Sequence, residues 1–220
     1  MEAYKELLNL IKQLSHSRDC REVFTDFMEI TAITISNSVD KLNFTERENQ
    51  YLNTMKKYTP EHQKLFPEML SRLVIALGNA PFDVLGKLFY ELGLPDKNKS
   101  QIFTPQHIAD MMGALVLSND NKTISEQGFI SFHDSCCGSG VLSLGFANAM
   151  GTNGYNYCNQ MLATAVDIDL RCVYMSYIQL SLYGIPAIVI HGSALTMEEY
   201  SRWFTPTYIL GNWQRKVAKV

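Results

Sequence analysis

Apolar residues recur at helical spacing through most of the first 98 residues. Leu7, Leu8, Ile11 and Leu14 form one stripe. Asp19 caps a second helix carrying Val23, Phe24, Phe27 and Met28, which runs into Ile30-Thr-Ala-Ile-Thr-Ile35. The β-branched density of that run suits a strand as well as a longer helix. Thr45-Glu-Arg-Glu48 has the spacing of a capping box and predicts a helix through Tyr51, Leu52 and Met55. Thr59-Pro60 starts another, expected to break at Pro67 and resume to Leu77, with Gly78 as its stop. Phe82, Leu85, Leu88, Phe89 and Leu92 complete the helical series before Gly93 and Pro95.

The texture changes after the polar connector Asp96-Lys-Asn-Lys-Ser100. Thr104-Pro105 opens a helix through Ile108, Met111, Met112 and Leu115. Short apolar runs then alternate with helical segments. Phe129 to Phe132 reads as a strand, Leu162 to Val166 as a second ending in Asp167, Pro186 to Ile190 as a third and Thr207 to Leu210 as a fourth. Helices through Leu144 and Phe146, and from Leu170 to Tyr183, separate the first three. Strands interleaved with helices predict a partly parallel sheet, an α/β class. The expected division is an N-terminal helical region over 1–98 and a sheet-containing domain over 99–220.

Composition narrows the function classes. The chain is 46% hydrophobic, and no apolar run approaches the about 18 residues of a membrane span. The first residues are charged, with no signal-peptide core behind them, so a cytoplasmic setting is expected. Five cysteines without CxxC spacing read as reduced thiols rather than a metal site. A net charge of −3 argues against a strongly basic, freestanding nucleic-acid binder, so DNA contact would be local or supplied by a partner.

The chemistry concentrates at Asp134-Ser-Cys-Cys-Gly-Ser-Gly140, a strand, a glycine-rich turn and a helix start. Such a turn lets a ligand lie against bare backbone at a helix N-terminus. A carboxylate in its mouth disfavours phosphate and favours a cation, and S-adenosylmethionine carries an ammonium and a sulfonium. Asp167 follows Asp134 by 33 residues, about one strand-helix-strand unit, which brings two strand ends to one crevice. Asp167 is then placed to accept hydrogen bonds from ribose hydroxyls. A plainer reading stands beside this one: Gly138 and Gly140 make a tight turn and Asp134 caps the helix.

Four segments in order resemble the modification subunits of type I restriction enzymes and related N6-adenine DNA methyltransferases. Gln101-Ile-Phe-Thr-Pro105 is similar to their glutamine-phenylalanine-threonine-proline signature, and Asp134 to Gly140 to their cofactor loop. Ala165-Val-Asp-Ile-Asp169 is similar to their ribose-binding segment, and Ile178-Gln-Leu-Ser-Leu-Tyr-Gly-Ile185 to the stretch that follows. The resemblance covers roughly residues 82 to 212. It implies a Rossmann-like, S-adenosylmethionine-dependent methyltransferase fold with about four strands present. It also implies cofactor-binding roles: Phe103, Thr104 and Pro105 closing over the methionine part, Asp134, Cys137, Gly138, Ser139 and Gly140 forming the loop, and Asp167 with Ile168 holding the ribose.

Two positions depart from the family pattern. Where it presents an acid to read the adenine amine, Ser193 stands here. Its asparagine-proline-proline-aromatic loop, which holds a flipped adenine, corresponds to Ile209-Leu-Gly-Asn-Trp-Gln-Arg215. Asn212 occupies the polar position without a following proline, and Trp213 either stacks on a base or packs against the sheet. Only the cofactor-binding half of the family's sheet is covered. Three readings follow: a compact N6-adenine DNA methyltransferase using Asn212 and Trp213; a non-catalytic module that imitates a modification subunit and regulates or antagonises a restriction-modification complex; or a fragment whose sheet a second chain completes. His133 and His191 border the expected pocket, with structural roles the simpler reading for both. Cys137 lacks an evident base. Tyr200 to Phe204 reads as a partly buried helix, and Lys216 and Lys219 give the tail a slight positive bias. No metal site is expected.

Overall fold

Strand and helix alternate after residue 129 to build one sheet, in the order β1-β2-β3-β4. β1 (Ile130–Asp134), β2 (Met161–Asp167) and β3 (Ala187–Ser193) run parallel, and β4 (Glu198–Phe204) returns antiparallel beside β3. The crossovers are α9 (Val141–Thr152) with the short α10 (Tyr157–Gln160), then α11 (Leu170–Leu182). The chain is a mixed α/β protein of Rossmann-like arrangement preceded by a helical region, as its pattern predicts. The computed structural model describes residues 2–95, 101–118 and 121–218; the connector 96–100 and Lys219 lie outside the described residues.

Register sets the site. Asp134 pairs with Ala165, and Asp167 two residues on pairs with His191, so the carboxyl ends of three strands share one rim. Alternation along β1 turns Ile130, Phe132 and Asp134 toward the helices and leaves Ser131 and His133 exposed on the other face. Phe132 stacks on Phe146 of α9 at 4.8 Å between ring centroids.

The helical region shares its core with the sheet. Helices α1 (Glu2–Leu14), α2 (Cys20–Asn37) and α5 (Leu65–Leu77) contribute Leu7, Phe24, Phe27 and Leu73 to the cluster that holds Ala163, Val189 and Trp203. Arg47, in α3 (Phe44–Met55), fastens the two parts. It is buried over the Trp203 ring at 3.9 Å, ion-paired to Asp40 at 2.7 Å, bonded to the Ser36 hydroxyl and to the Arg202 carbonyl at 2.9 Å.

Several local expectations are corrected. Ile30 to Ile35 continues α2, because Ile30, Ala32 and Ile33 fall on its buried face and burial overrides β-propensity. The Thr45 capping box does not form: the helix starts earlier, at Phe44 after Asn43, with no side-chain cap. The break expected at Pro67 falls at Lys64, between α4 (Pro60–Gln63) and α5. Pro67 sits in the first turn of α5, where a missing N–H costs nothing. The fourth strand is 198–204, not 207–210. Trp203 points inward onto Tyr174 and Tyr177 while Arg202 stays exposed, a strand alternation, so the helix expected for Tyr200 to Phe204 is a strand. Pro206, unable to donate to a ladder, instead starts α12 (Pro206–Leu210).

Candidate functional site: a glycine loop between two strand-end carboxylates

The turn after β1 folds over the end of β2. Cys137 N–H donates to the Val166 carbonyl at 2.9 Å, and Gly138 N–H to Asp167 Oδ2 at 2.8 Å. Cys136 N–H donates to Asp134 Oδ1 at 3.3 Å, so one loop hangs on both strand-end acids. Both glycines are required by the backbone. Gly138 has φ +53°, and a Cβ there would lie 3.1 Å from the Phe103 ring. Gly140 has φ +91°, and its Cβ would lie 2.8 Å from Ser176 Oγ.

The charges around this loop are unequal. Burial raises the pKa of Asp134, the Cys136 amide counters it, and the Asp167 charge adds to the rise. Burial likewise raises Asp167, against hydrogen bonds from the Asp169 and Gly138 amides. Asp134 Oδ2 is buried with no hydrogen-bond partner, and among the described residues neither acid is ion-paired. Asp169 behaves in the opposite way. Burial opposes its charge, but the Arg171 fork at 3.0 and 2.6 Å and Gln101 at 2.8 Å outweigh that and hold it at about 2. Two desolvated, unpaired carboxylates beside a neutralised third make an arrangement that accepts a cation.

The segment before α7 (Gln106–Ser118) roofs the loop. Gln101 bonds Asp169, and Phe103 presses on Gly138. Phe103 stacks on Phe89 at 5.5 Å and donates its N–H to the Tyr90 hydroxyl at 2.7 Å. Beneath it opens a cleft of about 420 Å³, lined by Phe103, Cys136, Gly138, Asp167, Ile168 and Cys172 among others. That volume is within the range of small-molecule sites.

The residues singled out from the sequence divide between this cleft and elsewhere. Phe103, Gly138, Asp167 and Ile168 line it. Asp134 lies behind it, joined through the Cys136 amide. Thr104 and Pro105 line a neighbouring cleft with Phe82 and Asp83. Ser139 and Cys137 point into the protein, and burial pushes the Cys137 thiol well up, which favours the unreactive thiol over the thiolate. Ser193 ends β3 and accepts the Thr196 N–H at 3.2 Å, outside the cleft lining. His133 is exposed on the far sheet face. His191 Nε2 sits 3.2 Å from the Ile168 carbonyl, with its ring on Tyr200.

Asn212 and Trp213 stand apart from the cofactor loop, and of the two roles open to Trp213 the packing one is what the structure shows. Trp213 is 1% exposed, packed edge-on to Phe129 and against Leu162, at the opposite end of β1 and β2 from the loop. Its ring is core, not a free stacking platform. Asn212 holds a left-handed conformation (φ 55°) ahead of α13 (Trp213–Val217), and both residues border a separate cavity with Phe204 and Tyr208.

Sequence reasoning missed Tyr90, Arg171 and Cys172. The spacing Asp169-x-Arg171 at a helix start was the available signal for the second, since an N-cap acid and a residue two on meet there. Tyr90 and Cys172 carried none, because only the fold brings them to the loop. Among the described residues no cluster of acids, histidines and cysteines could hold a metal, and no helix is long and apolar enough to cross a membrane.

No family model and no curated protein matches the chain. A solved structure from Listeria monocytogenes, assigned to the class I S-adenosylmethionine-dependent methyltransferases, is similar at 16% identity with a TM-score of 0.44, over 86% of this chain and 53% of its own. The present chain therefore spans about half the length of that protein.

Proposed function

We propose that this chain binds S-adenosylmethionine in the cleft beneath Phe103. The observation supporting it is the pair of carboxylates without an ion-pair partner, buried Asp134 and half-buried Asp167, that share the Cys136 to Gly138 backbone. Asp134 Oδ2, buried behind the Cys136 turn and without a partner in the chain, is the acceptor that the ammonium satisfies. Asp167 already takes two backbone N–H groups, and each oxygen keeps a lone pair for a ribose hydroxyl. Phe103 excludes water from the loop, and Gly138 lets a ligand approach the backbone. The cofactor, when bound, supplies a sulfonium-activated methyl group.

The four sequence segments favour N6-adenine in DNA and a restriction-modification assembly. Because Trp213 is locked in the core, the chain is read as the cofactor-binding part. A partner then supplies DNA contact and the base-positioning groups. The non-catalytic, regulatory or antirestriction alternative draws on the same feature.

Calorimetric titration of the whole chain with S-adenosylmethionine tests the first claim, with Asp134→Asn and Asp167→Asn as controls. Saturable heat lost in both variants is the expected result. Absence of heat and of any thermal shift at millimolar ligand removes the proposal. Methyl incorporation into unmethylated DNA by the chain alone, surviving Asn212→Ala, would remove the assignment of base handling to a partner.

A further inference from the structure

Asp83 lies outside the cleft and is 7% exposed, yet its carboxylate accepts three hydrogen bonds from three separate segments. It stands just ahead of α6 (Val84–Glu91), and the Gly86 N–H donates to its Oδ1 at 2.8 Å, an ordinary N-cap contact. A cap needs nothing more. Gln179 Nε2, from the middle of α11, also donates to Oδ1 at 2.9 Å, and the Ser139 hydroxyl donates to Oδ2 at 2.6 Å.

Ser139 stands between the two loop glycines and is gripped twice, because Gln179 Nε2 also donates to its carbonyl at 2.8 Å. Gln179 Oε1 accepts the Leu85 N–H at 3.1 Å and closes the circuit. The Asp83 N–H donates to Gln106 Oε1 at 2.9 Å, tying the same point to the residue after Thr104-Pro105. Packing leaves no slack: a Cβ on Gly86 would fall 2.1 Å from Asp83 Oδ2 and 2.7 Å from Ser139 Oγ. One buried acid is thus bonded both to the glycine loop, through the Ser139 hydroxyl, and to the start of α7 just after the roofing segment, through Gln106.

We propose that Asp83 is a positioning residue of the glycine loop, fixing Ser139 so that Gly138 and Gly140 present their backbone to the ligand with Phe103 seated over them. Its consequence for cofactor affinity rests on the function proposed above; its effect on the loop itself does not.

Hydrogen exchange of a peptide spanning 135–140 is the test, on the full chain carrying Asp83→Ala, Asp83→Asn, Ser139→Ala, or the first and third together. Asparagine keeps an acceptor for Gly86 and Gln179 and offers its amide to Ser139 Oγ, so it is the conservative rescue. Loop exchange is expected to quicken about tenfold in each alanine variant, the scale of one lost hydrogen bond. The double variant should exchange no faster than Asp83→Ala, Asp83→Asn should stay near wild type, and peptides from β2 and β3 should not change. Affinity for S-adenosylmethionine should fall by the same factor. If Asp83→Ala does not fold, Ser139→Ala, which removes one hydroxyl, decides the question alone. Unchanged loop exchange in a folded alanine variant, or effects that add in the double variant, would overturn the proposal. A wild-type chain with this exchange pattern and no response to S-adenosylmethionine upholds Asp83 and overturns the cofactor reading.

Discussion

Gly138 donates its N–H to Asp167 Oδ2 at 2.8 Å, so the turn that ends β1 is fixed by the acid that ends β2. A side chain at position 138 attacks this link in two ways. It strains a backbone at φ +53°, at roughly 1–2 kcal/mol for a residue with a Cβ, and it pushes on a Phe103 ring 3.1 Å away. Gly138→Ala is expected to lower the melting temperature by a few degrees and to weaken S-adenosylmethionine more than tenfold. Full affinity in this variant, by calorimetry, would show that the ligand does not lie against the loop.

The two strand-end acids, buried Asp134 and half-buried Asp167, give the site a definite response to pH. Their folded-state pKa values lie above the unfolded ones. Their contribution to stability is therefore complete below the unfolded values and is lost as pH rises through the raised folded ones. A cationic ligand prefers the ionised acids, so its affinity strengthens as pH rises through the same window. Asp134→Asn removes a buried charge with an unpartnered oxygen. It should raise the melting temperature of the ligand-free chain at neutral pH, flatten this pH dependence and weaken binding. Paired melting curves and titrations at acid and neutral pH read both effects; a destabilised Asp134→Asn with intact affinity would contradict the account.

The part of the site that could be read along the chain was the part encoded locally. Asp134 and Asp167 each end a strand and each precede a helix, so composition and spacing alone placed them on one rim. Asp83 shows the limit. In sequence it is an acid before a helix; its bond to Ser139 spans 56 residues and its bond to Gln179 spans 96. The same limit explains β4. Tyr200 to Phe204 carries both aromatic and charged residues, and only Tyr174 and Tyr177, waiting inside for Trp203, show which of them turns inward.

Arg47 joins the helical region to the sheet, and its loss should be costly. Asp40 is 5% exposed; burial would raise its pKa, but hydrogen bonding from Asn43 and the Arg47 charge outweigh burial and hold it below the ordinary value. Removing the guanidinium leaves that carboxylate buried without its cation, a change on the order of 3–5 kcal/mol. Arg47→Ala is expected to cost that much in urea unfolding. Because Asp40 is depressed in the fold, its contribution is present above the unfolded pKa and is lost as pH falls through the folded one. The penalty should therefore shrink in acid. A penalty under about 1 kcal/mol at neutral pH would mean the pair is solvated.

Trp213 separates core from chemistry. Its ring lies edge-on to Phe129 at 5.2 Å and fills the end of the sheet remote from the glycine loop. Trp213→Ala removes a fully buried aromatic side chain, which costs on the order of 3–5 kcal/mol. Trp213→Phe keeps an aromatic ring in place at a smaller penalty. Both variants, measured below their melting temperatures, should bind S-adenosylmethionine within about twofold of wild type, because Trp213 packs on Phe129 and Leu162 at the far end of β1 and β2 from the loop. Asn212→Gly should be milder still, since glycine accepts the left-handed backbone that asparagine holds there. A folded Trp213→Phe that lost cofactor affinity, while Asp134→Asn retained it, would move the binding site to the cavity beside Phe204 and Tyr208.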